Sequence, residues 1–162
     1  MEPSDLLEHK HSHKRLASQP QFKPMKKGKF PKPFKTMGGM RLHSTDLIDV
    51  SDTHCVIFIW RDGDELIDSL FLGWLMCKLR SGELSPLFEM HLHPSHKGLH
   101  VKMPCKTDLD YTSRQLPGAP EFDLKFQRML DPRSEKDREI LIADFCKRCG
   151  IEIGDENSLW NS

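Results

Sequence analysis

Six consecutive residues, Cys55-Val56-Ile57-Phe58-Ile59-Trp60, carry no charged side chain and are rich in β-branched and aromatic types. A short run without polar alternation, bounded by polar residues, predicts a buried central strand. Arg61-Asp62-Gly63-Asp64 follows as a polar turn. From Glu65 to Leu79 the apolar residues Leu66, Ile67, Leu70, Phe71, Trp74, Leu75 and Met76 predict a mostly buried helix. Arg80-Ser81-Gly82 supplies a basic last turn and a glycine stop.

The second half offers hairpin and helix signals. Leu87 to Leu92 reads as a strand, Pro94 to Gly98 as a turn, and Leu99 to Met103 as the returning strand. Residues 104–121 read as loop, and Phe122 to Leu130 as a short helix. Ser134 with Asp137 resembles a capping box that opens a helix running to Cys149, with Gly150 as its stop. Ile151-Glu152-Ile153 is a short strand. The order β-α-β-β-α-β predicts an α+β domain of ferredoxin-like or RRM-like type, a split βαβ sheet with two packed helices.

Charge is segregated along the chain. The 162 residues hold 24 basic and 24 acidic side chains, for a formal net charge of zero. Yet the stretch from Lys10 to Lys35 has nine Lys/Arg and no Asp/Glu. Lys23, Lys26, Lys27, Lys29, Lys32 and Lys35 alternate there with prolines and with Phe22, Phe30 and Phe34. Such a composition predicts a disordered basic arm over 1–42, ahead of a domain over 43–162. An arm of this kind neutralises phosphates and stacks its phenylalanines on bases. The alternatives are a solubilising tail and a nuclear-localisation cluster. The five scattered cysteines, the absence of an apolar run of about 18 residues and the lack of an apolar leader predict an intracellular protein, cytoplasmic or nuclear, with no membrane partner.

Two motifs point to phosphate chemistry. In Ser95-His96-Lys97-Gly98-Leu99-His100, a glycine allows close backbone approach, Lys97 offers a charge, and His100 alternates with Leu99 and Val101. Asp62 and Asp64, one residue apart after a strand, can share a divalent cation, or can simply be a solvated turn. Together these residues resemble the catalytic core of the archaeo-eukaryotic primase (primase-polymerase) superfamily over roughly residues 54–103. The resemblance implies that Asp62 and Asp64 bind magnesium or manganese, that Ser95, Lys97 and His100 contact nucleotide phosphates, and that Asp62, Asp64 and His100 form the catalytic set. It leaves Asp108 or Asp110 as the best third carboxylate. It also implies a setting in viral or mobile-element replication.

Zinc is not expected. Cys146 and Cys149 lie at i and i+3 on the last turn of a helix, where cysteines fill apolar space. His91 and His93 share one strand face, which suits solvent or a base better than a ligand pair. Nothing near Cys105 marks a nucleophile. The leading expectation is nucleic-acid binding on an open sheet face by a minimal primase-like domain. The alternatives are metal-dependent nucleotidyl transfer at that site and a protein-protein interaction module.

Overall fold

The computed structural model describes residues 8–9, 12–94, 98–104, 110–113 and 130–154, with 98–104 (Leu99 apart) and 110–113 described by their backbone. In chain order the strands are β1 (Lys14–Leu16), β2 (Lys23–Pro24), β3 (Leu42–Ser44), β4 (Ile48–Asp49), β5 (His54–Arg61), β6 (Leu70–Lys78), β7 (Leu84–His93), β8 (Gly98–Pro104), β9 (Asp110–Ser113) and β10 (Ile151–Ile153). Helix α1 (Glu135–Arg148) precedes the last strand. The main sheet runs in the order β2-β3-β5-β6-β7-β8-β9, with β4 also pairing β5. Every pairing in it is antiparallel. The short β1 and β10 pair in parallel beside it.

Strand β5 forms where the apolar run predicts it, and strict alternation sorts its residues between two cores. Val56 and Phe58 from β5, and Phe71 and Leu75 from β6, join a cluster with Leu141, Ile142, Phe145 and Cys146 of α1. The Phe145 ring meets Phe58 edge-on, centroids 5.1 Å apart. Cys55, Ile57, Ile59, Leu70, Leu72 and Met76 form a second cluster with Met25, Phe30 and Phe34. Successive strand side chains point to opposite faces, so two separate covers make both faces dry.

Three expectations are overturned here. The ferredoxin-like split βαβ fold with two packed helices is not formed: among the described residues the sheet is antiparallel and one α-helix packs on it. The helix expected over 65–79 is a 3-10 turn (Leu66–Asp68) followed by β6. The physical reason is two-sided burial. When both faces of a strand are covered, its apolar residues run on without a period of two and look like a buried helix. The disordered basic arm is not what residues 12–42 form either, because Met25, Phe30 and Phe34 lie 2%, 7% and 0% exposed against the sheet. The short helix expected over Phe122–Leu130 lies outside the described residues, except for buried Leu130.

Other local signals are realised. β7 and β8 form the hairpin, with Leu92 opposite Leu99. Ser134 is the N-cap of α1, and its side chain accepts from the Asp137 N–H at 3.2 Å. The Asp137 carboxylate reaches back to accept from the Asp131 N–H at 2.8 Å. Gly150 ends the helix at φ 66°. No helix among the described residues is long and apolar enough to cross a membrane.

Gly73 sits at the centre of β6 opposite Phe58. A Cβ there would lie 2.9 Å from Phe145 Cδ2 and 3.3 Å from Phe58 Cδ1. The glycine therefore makes room for the ring that joins helix to sheet. Gly73→Ala is expected to destabilise the fold by about 1–3 kcal/mol through overpacking. Urea unfolding should show a lower midpoint at unchanged slope. A midpoint equal to that of the unsubstituted protein would mean that the Phe145 ring moves aside freely.

Candidate nucleic-acid interface

The lysine-rich segment is a folded cap on the sheet. Its ends are pinned by backbone bonds: Met25 N–H donates to the Leu42 carbonyl at 2.9 Å, and Gly39 N–H to the Met25 carbonyl at 3.1 Å. Gly28 N–H donates to the Lys35 carbonyl at 2.8 Å, which closes the loop between them. At Gly38 the backbone passes so near the chain at Lys27 that a Cβ would meet the Lys27 nitrogen at 2.5 Å. Its φ of +149° also favours glycine.

Met25, Phe30 and Phe34 point into the sheet, and the Phe34 ring meets Trp74 edge-on with centroids 4.9 Å apart. Burying the apolar residues leaves the lysines outside. Lys23, Lys26, Lys27, Lys29, Lys32 and Lys35 are all exposed. Lys29 pairs with Asp46 at 3.3 Å and lies over the Phe30 ring. The other five make no ion pair among the described residues. Phe30 and Phe34 are thus anchors of the cap, and stacking on bases is not available to them.

Asp62 and Asp64 lie in the turn after β5, both exposed. Arg41 Nη2 binds both carboxylate oxygens of Asp64, at 3.0 Å and 3.1 Å. Arg133 Nη1 donates to the Asp64 carbonyl at 3.0 Å. The Asp62 carboxylate acts through space on Arg41, Arg133 and Arg138. The turn is therefore already compensated by cations, and a divalent ion would have to displace Arg41.

Ser95 and Lys97 lie outside the described residues. The backbone of His100 is in β8, paired with His91. Counting β5-β6-β7-β8, it stands three strand spacings, about 14 Å, from the strand that carries the aspartates. The structure does not gather Asp62, Asp64 and His100 into one coordination sphere. Asp110, in β9, is a further strand away, and Asp108 lies outside the described residues.

On β7 the Glu89 and His91 side chains are only 11% and 13% exposed, and His91 Nε2 lies 3.2 Å from Glu89 Oε1. Cys146 and Cys149 are buried at the end of α1. Burial pushes the Cys146 thiol up to about 12, as suits an apolar filler.

One cluster is invisible to the spacing arguments. His9, His54 and Cys77 bring their ligand atoms within 4.8 Å of one another. His54 opens β5 and stands opposite Cys77 of β6. His54 is 3% exposed. Burial first, then the nearby Lys14 and His9, push its imidazole down to about 4. Burial also raises the Cys77 thiol. The one sequence signal was the alternating His9-x-His11-x-His13, a short histidine tract of metal-binding type. No family model, curated protein or solved structure matches the chain.

The cap generates a direct test. Phe34→Ala removes a fully buried ring and is expected to cost about 3–5 kcal/mol. Chemical denaturation followed by circular dichroism measures this. A change within experimental error would mean that the segment contributes nothing to the fold.

Proposed function

We propose that the protein binds nucleic acid through its phosphate backbone, using the lysine face of residues 23–35. The observation that carries this reading is the division of labour in the cap. Its apolar side chains are sunk into the sheet, and six lysines project from a backbone that hydrogen bonds and packing hold in place. Lysine acts on phosphate as a point charge, and neutralising several phosphates releases counterions. With Phe30 and Phe34 buried, the lysine face of residues 23–35 offers no ring for stacking, so binding through it is to the backbone and tolerant of sequence.

The reading is independent of the primase-like resemblance, because the lysines lie outside residues 54–103. It calls for no chemistry on the nucleic acid. The Arg41 grip on Asp64 gives no support to nucleotidyl transfer at that turn.

The test is a fluorescence-anisotropy titration of labelled single- and double-stranded oligonucleotides across a salt series. Replacing Lys26, Lys27, Lys32 and Lys35 together by Gln should weaken binding to all sequences alike. It should also flatten the slope of log affinity against log salt by about 0.7 per lost contact on single strands and about 0.9 on duplex. A slope left unchanged, or no binding by the unsubstituted protein at low salt, would overturn the proposal.

A further inference from the structure

A second site stands on the opposite face of the same strands. Even-numbered residues of β5 face α1, and His54 belongs to that set with Val56 and Phe58. Cys77, its cross-strand partner, packs against the same cluster. His9 comes from the N-terminal segment, and its Nδ1 lies 3.0 Å from His54 Nε2.

We propose that His9, His54 and Cys77 bind one zinc(II) ion, with the fourth position open to water. Two imidazole nitrogens and a thiolate are the donors zinc prefers. Three protein ligands plus water is its usual arrangement outside closed structural sites. Tetrahedral bonds of usual length set two zinc-bound nitrogens about 3.3 Å apart. The observed 3.0 Å between His9 and His54 opens to that value with a small ring rotation.

The surroundings are compatible with a metal ligand as well as with the hydrogen bond between the two rings. His54 Nδ1 is 2.9 Å from both Ser51 Oγ and Thr53 Oγ1. Donation from Nδ1–H to one of these hydroxyls leaves the Nε2 lone pair free on the side of His9, as outer partners do for metal-bound histidines. The turn that carries His9 is also held. Lys14 Nζ, fully buried, donates to the His9 carbonyl at 2.6 Å, to the Ser12 carbonyl at 2.8 Å and to Ser12 Oγ at 3.3 Å.

Lys14 brings a positive charge close to the site, which disfavours a cation held by neutral donors alone. The Cys77 thiolate offsets part of it and selects a thiophilic ion over magnesium or calcium, whose sites are built of oxygen donors.

The experiment uses the full chain, reduced and freed of metal by chelation, titrated anaerobically with cobalt(II) as a spectroscopic probe. One equivalent should produce thiolate-to-metal charge transfer and the strong visible bands of a tetrahedral ion, both removed by added zinc. Cys77→Ser should abolish the charge-transfer band while circular dichroism stays the same. The double variant Cys146→Ser/Cys149→Ser should keep the band. His9 is partly exposed, so His9→Ala tests the site even if Cys77→Ser fails to fold. It should weaken binding by at least the roughly 10- to 100-fold that loss of an outer-shell partner costs. No charge-transfer band in the unsubstituted protein, or a band that survives His9→Ala at full affinity, would overturn the assignment. So would a band that survives Cys77→Ser but disappears with Cys146 and Cys149.

Discussion

The ladder between β5 and β6 is dry on both faces, and much of the molecule follows from that. An antiparallel sheet commonly leaves one face to water. Here Ile57, Ile59, Leu72 and Met76 on one side are as apolar as Val56, Phe58, Phe71 and Leu75 on the other. Among the described residues α1 is the one long helix, and it takes the first face through Phe145 and Leu141. The second face falls to a segment with almost no regular structure of its own. That segment cannot bury its backbone in a helix, so it is tied by bonds such as Met25 to Leu42 and Gly28 to Lys35. It is anchored by three large side chains, Met25, Phe30 and Phe34. Met37 and Leu42 pack partly against the same face, and the lysines are left outward. That lysine fills so many of the outward places makes the cover a cationic surface, held at fixed geometry by the fold beneath it.

This arrangement also decides what was legible in the sequence. Strand β5, the β7–β8 hairpin and the capped helix announce themselves through signals a few residues long: a β-branched run, a turn, a serine at the helix start, a glycine at its end. β6 does not, because two-sided burial erases the alternation that would have separated it from a helix. Its best clue was Gly73, costly inside a helix and explained here by Phe145. The cap escapes local signals for a different reason. Composition averages a segment, and an average rich in Lys and Pro describes a solvated chain. Packing depends instead on a few anchors, and Met25, Phe30 and Phe34 suffice once an apolar face is waiting for them.

The candidate site shows the same limit. Asp62-Gly63-Asp64 has the look of a metal pair in sequence, but the partners of Asp64 are Arg41 at its carboxylate and Arg133 at its carbonyl, 23 and 69 residues away. No local pattern contains that information. His9 and His54 are 45 residues apart, and Cys77 joins them only because the β5–β6 register puts it opposite His54. Ligand sets assembled by register and by a returning terminus become visible only when the pairing is known.

The parity of β5 keeps the two proposed sites apart. His54 shares its face with Phe58, under α1, whereas the lysine cap covers Ile57 and Ile59 on the reverse. The sheet and its two dry cores lie between them, so no side chain belongs to both. Charge at the histidine–cysteine cluster reaches the lysines only through the intervening protein and the surrounding salt, where screening cuts exposed interactions beyond about 8–10 Å. The basic stretch of the sequence is thus not one functional unit. Lys14 is consumed in fixing the turn at His9, and Lys29 is paired with Asp46. Lys23, Lys26, Lys27, Lys32 and Lys35, which carry no ion pair among the described residues, all belong to the cap. Cations that look alike along the sequence thus take different roles: Lys14 is buried, whereas the cap lysines are exposed. The exposed cap lysines are free to exchange counterions, as the proposed phosphate binding requires.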